Sequence, residues 1–294
     1  MLKSRLCIAF FAFAVGCAPA QKPLTDYVNP MLGTATLWDS VDLGFKPTKR
    51  TWGAEVFPGS SLPNAMVQVS PVTKFHSGAG YQYEDSVIYG FTHTNKGHWN
   101  LCHIPLLPVT GTPTPGDYCS PFSHERESAA PGYYQVFLDR YGVDAQLSST
   151  LRCAFHKYTY PAGAAASLLA DLQRSNEHVR AWDIRKEGDN VFAGWQQTGE
   201  KMYFYAVANR PVTGIEPVVE GDREVRIVRF GEGDGALELR IGFSFVSEEN
   251  ARKNLEAEML GRSFADVRSE ATAVWNDLLG RIRVEGGTER EKGL

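Results

Sequence analysis

The chain has 294 residues, room for one large domain or two modest ones. Apolar residues make up 43% and charged residues 22%, which rules out disorder as a description of the whole. The formal net charge is −4 with Lys and Arg scattered, so there is no basic surplus to neutralise phosphates, which argues against nucleic acid as a partner.

The first twenty residues read as a signal peptide. Lys3 and Arg5 precede an apolar run of ten residues, Leu6 to Val15, too short to span a bilayer as a mature helix. Two processing routes fit. One cuts after Ala18-Pro19-Ala20; the other treats Ala14-Val15-Gly16-Cys17 as a lipobox, with Cys17 lipidated. Either predicts an exported protein: periplasmic, secreted or an outer-membrane lipoprotein. Membrane attachment is expected only through that lipid. Cys102, Cys119 and Cys153 remain in the mature chain, enough for one disulfide at most. Cys102 with Cys119 is the expected pair, both lying in loop-rich sequence, and Cys153 is read as a buried thiol.

From Lys22 to about Pro131 the sequence is rich in Gly, Pro and Asn, with short strand candidates at Ala65–Val69 and Ser86–Phe91. Such long connections suggest elaborated loops over a β core. From Tyr133 to Val246 alternation with period two predicts antiparallel strands. Val143, Ala145, Leu147, Leu151, Cys153 and Phe155 share one parity, which puts His156 on the solvent face. Leu237 to Phe245 repeats the pattern. Lys186 to Asn190 predicts a hairpin turn, Gly231 to Gly235 a second turn, and Met202 to Ala208 a central strand buried on both sides. Successive strands with short turns predict an antiparallel β-sandwich over 22–246.

After Val246 the period changes. Ser247 can cap a helix to about Met259, and Ser263 with Asp266 suits a capping box for a second helix ended by Gly280. Phe264, Val267, Ala271, Val274 and Leu278 form its apolar stripe, which this reading leaves as an exposed patch around Phe264, Val267 and Val274. A short strand is predicted at Arg281–Val284. Gly286 to Leu294 is polar with no capping or stop signal, so 247–294 reads as a helical linker leading into a further domain.

Six blocks resemble glycoside hydrolase family 92 in order: Asp26-Tyr27-Val28-Asn29-Pro30 with Gly33; Phe57-Pro58-Gly59 through Ser70-Pro71; Gly80-Tyr81 through Gly90-Phe91-Thr92-His93-Thr94; Tyr133-Tyr134 through Tyr141-Gly142; Leu151 to Pro161; and Ser244 to Ser247 with Asn250-Ala251, Trp275-Asn276 and Val284 to Glu289. The resemblance implies an N-terminal supersandwich-like β domain followed by an (α/α)₆ barrel. It implies calcium-dependent, exo-acting hydrolysis of α-mannosides in glycans, with inversion. The family's general acid, general base and calcium ligands correspond to positions beyond Leu294, so no catalytic or metal-binding residue is carried over, and the barrel would be this domain's partner.

The residues offer binding candidates instead. His93-Thr94-Asn95-Lys96-Gly97-His98-Trp99-Asn100 is a polar loop closed by an aromatic. Sugars stack their C–H faces on such rings and hydrogen-bond to His and Asn. His93 and Trp99 are the predicted substrate-binding residues, with Trp52 a further stacking candidate. In the family this loop faces the barrel and continues with a His-Leu-Ser-Gly-like run and an acidic-Gly-acidic segment. Here Asn95 to His98 and Asn100 to His103 stand instead, a departure that bears on linkage preference and on α-mannoside specificity. His76, His103, His124, His156 and His178 carry no pairing signal, and acids such as Glu125 and Glu127 read as solvated surface groups. Two other readings compete: a stand-alone carbohydrate-binding sandwich without hydrolase activity, and a sugar mutarotase on a similar sandwich.

Overall fold

The computed structural model describes residues 22–36, 55–97, 99–282 and 284–293. Two antiparallel sheets face one another. The seven-stranded sheet runs, in spatial order, Ser60–Ser61, Gln68–Val72, Gly90–Thr92, Leu106–Val109, Ser167–Ala170, Arg223–Phe230, Val212–Glu220. The eight-stranded sheet runs Ala181–Lys186, Val191–Gln197, Lys201–Ala208, Leu237–Ser244, Cys153–Thr159, Val143–Ser149, Tyr133–Leu138, Glu127–Ala130. The fold is thus mainly β, a large antiparallel sandwich followed by helices, as the alternation predicts. Between the sheets lies one core in which Val69, Phe91, Leu106, Leu168 and Ile227 meet Leu147, Tyr158, Phe204, Leu239 and Ile241.

The turns predicted at Lys186–Asn190 and Gly231–Gly235 join the strands expected to flank them, with Lys186 itself closing the first strand. The strand predicted at Ala65–Val69 lies later, at Gln68–Val72, because Met66 and Val67 spend their amides on the Leu151 carbonyl. Ser86–Phe91 is split in two at Tyr89, just before Gly90 with its φ of 153°. Lys201–Ala208 is central, but its residues alternate between buried and half-buried. Met202, Phe204 and Ala206 point into the sandwich, whereas Tyr205 and Val207 pack under a helix.

His156 is not on a solvent face: it is fully buried. The hairpin between Val143–Ser149 and Cys153–Thr159 pairs Leu147 with His156 and Ala145 with Tyr158. Partners across this ladder therefore have opposite parity. Odd positions face the inter-sheet core on the first strand, even positions on the second, and the phase is lost in the turn.

The helical stripe is not exposed either. Ser247 caps Glu248–Glu258, and the Ser263/Asp266 capping box starts Phe264–Leu279. Both helices lie on the outer face of the eight-stranded sheet. There Leu255, Met259, Phe264 and Val267 bury Tyr133, Cys153 and Phe155 in a second core. Val274 is half-buried. The long helix also clamps the chain's beginning, since the Asn276 amide oxygen accepts from the Thr25 amide at 3.0 Å and Trp275 Nε1 donates to the Ser61 carbonyl at 2.8 Å. No strand forms at Arg281, Ile282 or Val284. The tail instead makes a short helix, Glu289–Lys292, capped by Thr288 with Glu291 completing a capping box that the sequence reading missed. Lys22 pairs with Glu289 at 3.7 Å and shares the Tyr27 ring with Lys292, which brings the two ends of the described residues together.

Candidate functional site

The strand Gly90–Thr92 delivers His93 and Thr94 to a small hairpin, Asn95–Lys96 paired with Trp99–Asn100. Gly97, at φ +62°, makes the turn. Its base is stitched from several sides. Asn100 is buried and its side-chain oxygen accepts from the Cys102 amide at 2.8 Å. The Asn176 amide donates to the Asn100 carbonyl at 2.6 Å, and Ser175 Oγ to the Leu101 carbonyl at 2.7 Å. Gly80 allows this packing, because a Cβ there would lie 2.6 Å from the Asn100 amide nitrogen. The hairpin so held presents Trp99, which is 50% exposed.

Behind it runs a buried chain whose donors and acceptors can be assigned in order. Tyr158 OH lies 2.5 Å from His156 Nδ1, His156 Nε2 lies 3.1 Å from His93 Nε2, and His93 Nδ1 faces the His103 carbonyl at 3.4 Å. A carbonyl only accepts, so His93 carries its proton on Nδ1 and accepts at Nε2. His156 must then donate from Nε2 and accept from the tyrosine. The second branch is fixed from its outer end. Thr198 Oγ donates to Glu177 at 2.6 Å, so it accepts from His103 Nε2 at 2.9 Å, and His103 Nδ1 accepts from Thr94 Oγ at 2.8 Å. Burial takes the His93 pKa down to about 3 and lowers those of His156 and His103, the Glu177 carboxylate opposing the last shift. Both His93 and His156 are therefore neutral near pH 7 and unsuited to general acid work there. Glu177, its pKa lowered first by the Thr198 hydroxyl, is the ionised and part-exposed end of this network.

Of the predicted binding residues, Trp99 is displayed at the surface. His93 has no exposed surface in this chain and lies directly beneath the hairpin. Trp52 and Cys17 fall outside the described residues. Cys102 and Cys119 are free thiols rather than the expected disulfide; Cys102 is buried, and its backbone amide is hydrogen-bonded within the hairpin base. Glu127 is no solvated acid: it is buried and accepts from Tyr81 OH, Tyr134 OH and His124 Nδ1 at 3.0, 2.5 and 2.6 Å. The segment is not a plain loop: a 3₁₀ turn, His124–Arg126, leads into the strand Glu127–Ala130 and brings His124 against Glu127. Its oxygens are spent on structural partners.

The family profile described as the glycosyl hydrolase family 92 N-terminal domain matches residues 27–252. The chain belongs to glycoside hydrolase family 92. The profile of that family's catalytic domain matches residues 250–294. Among solved structures, the family GH92 α-mannosidase BT3965 from Bacteroides thetaiotaomicron superposes with a TM-score of 0.80 at 25% identity, covering 92% of this chain and 40% of that one. The same enzyme has been solved in complex with mannoimidazole. The GH92 glycosyl hydrolase ccman5 gives 0.75 at 25% identity, covering 90% and 38%. A protein of Arthroderma benhamiae described as an uncharacterized secreted glycosidase is 24% identical over 314 residues, 89% of this chain and 38% of its own length. This family 92 chain thus spans about two fifths of the length of these relatives.

Proposed function

We propose that this chain is the N-terminal domain of an exported, exo-acting, inverting α-mannosidase that acts on mannose-containing glycans. In this reading hydrolysis is done by an (α/α)₆ barrel, and the domain described here shapes the approach of substrate. The observation that carries it is the likeness to a family 92 α-mannosidase over 92% of the chain at a TM-score of 0.80. Trp99 is the proposed sugar-stacking face, and His93 supports the hairpin from below; Trp52 remains a proposed second stacking residue. Export is supported by the leader-like sequence before Gln21 and by the secreted description of the fungal relative.

Calcium, which the family resemblance implies, needs six to eight oxygen ligands. Among the described residues no group of three His, Cys, Asp or Glu is arranged to hold a metal ion, so no calcium ligand is assigned to them. No step is assigned to the ion through these residues.

The test follows hydrolysis of an α-mannobiose by proton NMR with the protein encoded by the uninterrupted reading frame that contains this chain. Inversion releases β-mannose first, from two carboxyl groups roughly 6.5–9.5 Å apart with a water between them. Chelation should abolish turnover, and the 294 residues alone should give none. First release of α-mannose, or no turnover of α-mannosides by the encoded protein, overturns the reading.

A further inference from the structure

The long helix does not cover the outer sheet face completely. Beside the second core, with Phe264 on its wall, a groove of about 600 Å³ opens between the helix and the strands Val143–Ser149 and Cys153–Thr159. Gln146 and Lys157, direct cross-strand partners, line the sheet side. Ala265, Arg268, Ser269 and Ala273 line the helix side.

Two cations border this space without an acid partner among the described residues. The Arg268 guanidinium carbon lies 3.6 Å from the centre of the Tyr133 ring, and Lys157 Nζ lies 5.7 Å from that of Phe264. Stacking fixes a guanidinium plane while leaving the N–H donors along its edge free. The acids nearby are already engaged. Asp266 caps Ser263, Glu270 pairs with Arg262, and Asp277 lies 3.7 Å from Arg281. On the sheet, Asp144 accepts from the Gln135 and Gln146 amides at 2.7 and 2.9 Å. In a chain with 34 acidic residues against 30 basic ones, two unpaired cations beside one groove are not a product of excess base.

We propose that this groove is a ligand site for an oxyanion: a phosphate, sulfate or carboxylate group, either free or carried on a sugar. Arg268 supplies paired N–H donors, Lys157 a second charge, and the Ser269 hydroxyl a further donor. The Tyr133 and Phe264 rings hold the two cations in place. The site lies on the outer sheet face, and it does not rest on the glycosidase reading, because its readout is binding alone.

Titration calorimetry of the chain at low salt, with inorganic phosphate, glucose 6-phosphate and glucose as probes, tests the proposal. Both phosphate probes should bind, and glucose should not bind in a manner dependent on Arg268. Arg268→Gln and Lys157→Gln should each weaken binding by about fivefold or more, and raising the salt concentration should weaken it further. Ala265→Trp, which fills the groove without altering charge, should abolish it. Unchanged circular dichroism and thermal melting check that each variant remains folded. Tighter binding of glucose 6-phosphate than of phosphate identifies a sugar-borne anion; equal binding identifies the free anion. No heat from either phosphate probe at ~10 mM, or binding indifferent to all three variants, overturns the proposal.

Discussion

Leu147 and His156 stand opposite one another on neighbouring strands, and both are completely buried between the two sheets. That placement forces His156 and its neighbour His93 to remain uncharged in the fold, with His93 brought to about 3 from an ordinary 6.5. The unfolded chain binds protons at these rings below about pH 6.5 and the folded chain does not. Their contribution to stability is therefore fully present above that pH and is lost as pH falls toward 3. His93 costs about 1.4 kcal/mol per pH unit in that window, and burial of His156 acts in the same direction. Urea midpoints between pH 7 and 4 should fall less steeply for His156→Phe than for the parent chain. An identical slope would remove the pair as a source of acid sensitivity.

Trp99 makes its contribution at the surface, so its removal should separate binding from folding. Trp99→Ala is expected to leave the thermal midpoint nearly unchanged, because half of the side chain is exposed. It should raise the dissociation constant for a mannoside, or KM in the protein encoded by the whole reading frame, by about tenfold, equal to ~1.4 kcal/mol. A large loss of stability with unchanged affinity would make Trp99 a packing residue.

The second core makes a graded forecast. Phe264 is buried edge-on to Phe155 with ring centres 5.3 Å apart. Phe264→Ala should cost about 3–5 kcal/mol. Ser263→Ala removes only the helix cap and should cost about 1 kcal/mol. Equilibrium urea unfolding of both variants gives the comparison, and equal effects would mean that the helix is not anchored through Phe264.

Gly242 lies in the strand beneath the Glu248–Glu258 helix. A Cβ at that position would fall 2.2 Å from the Ala251 carbonyl oxygen and 2.8 Å from Leu255 Cβ. Gly242→Ala should shift the helix outward and destabilise the chain by about 1–3 kcal/mol, with faster hydrogen exchange at 249–258. Wild-type exchange in that helix would show that the contact is not limiting.

Alternation made the sandwich legible, and Ser247, Ser263 and Gly280 marked the helices in the sequence. What one strand's pattern could not carry was its phase relative to the next. The turn at 150–152 is short, yet it exchanges odd for even, and with that exchange the His93–His156 contact disappears from view. Buried polar groups were illegible for a related reason. Glu127 looks like any surface acid until Tyr81, 46 positions earlier, is folded against it. The exposure of Trp99 follows from its place on a tight hairpin, which is a local property. The destination of the Phe264 stripe was not legible, since nothing local says that the outer face of a sheet is waiting for it.

The meeting of Lys22 with Glu289 over the Tyr27 ring has a practical corollary. With both ends of the described chain on one patch, the order in which the strands are synthesised is not imposed by the distance between them. A short flexible segment joining Gly293 to Lys22 would close the backbone, and the exposed turn at 232–235 could become a new beginning. Such a circular permutant should retain both cores, and it would carry the hairpin bearing Trp99 in the middle of its sequence.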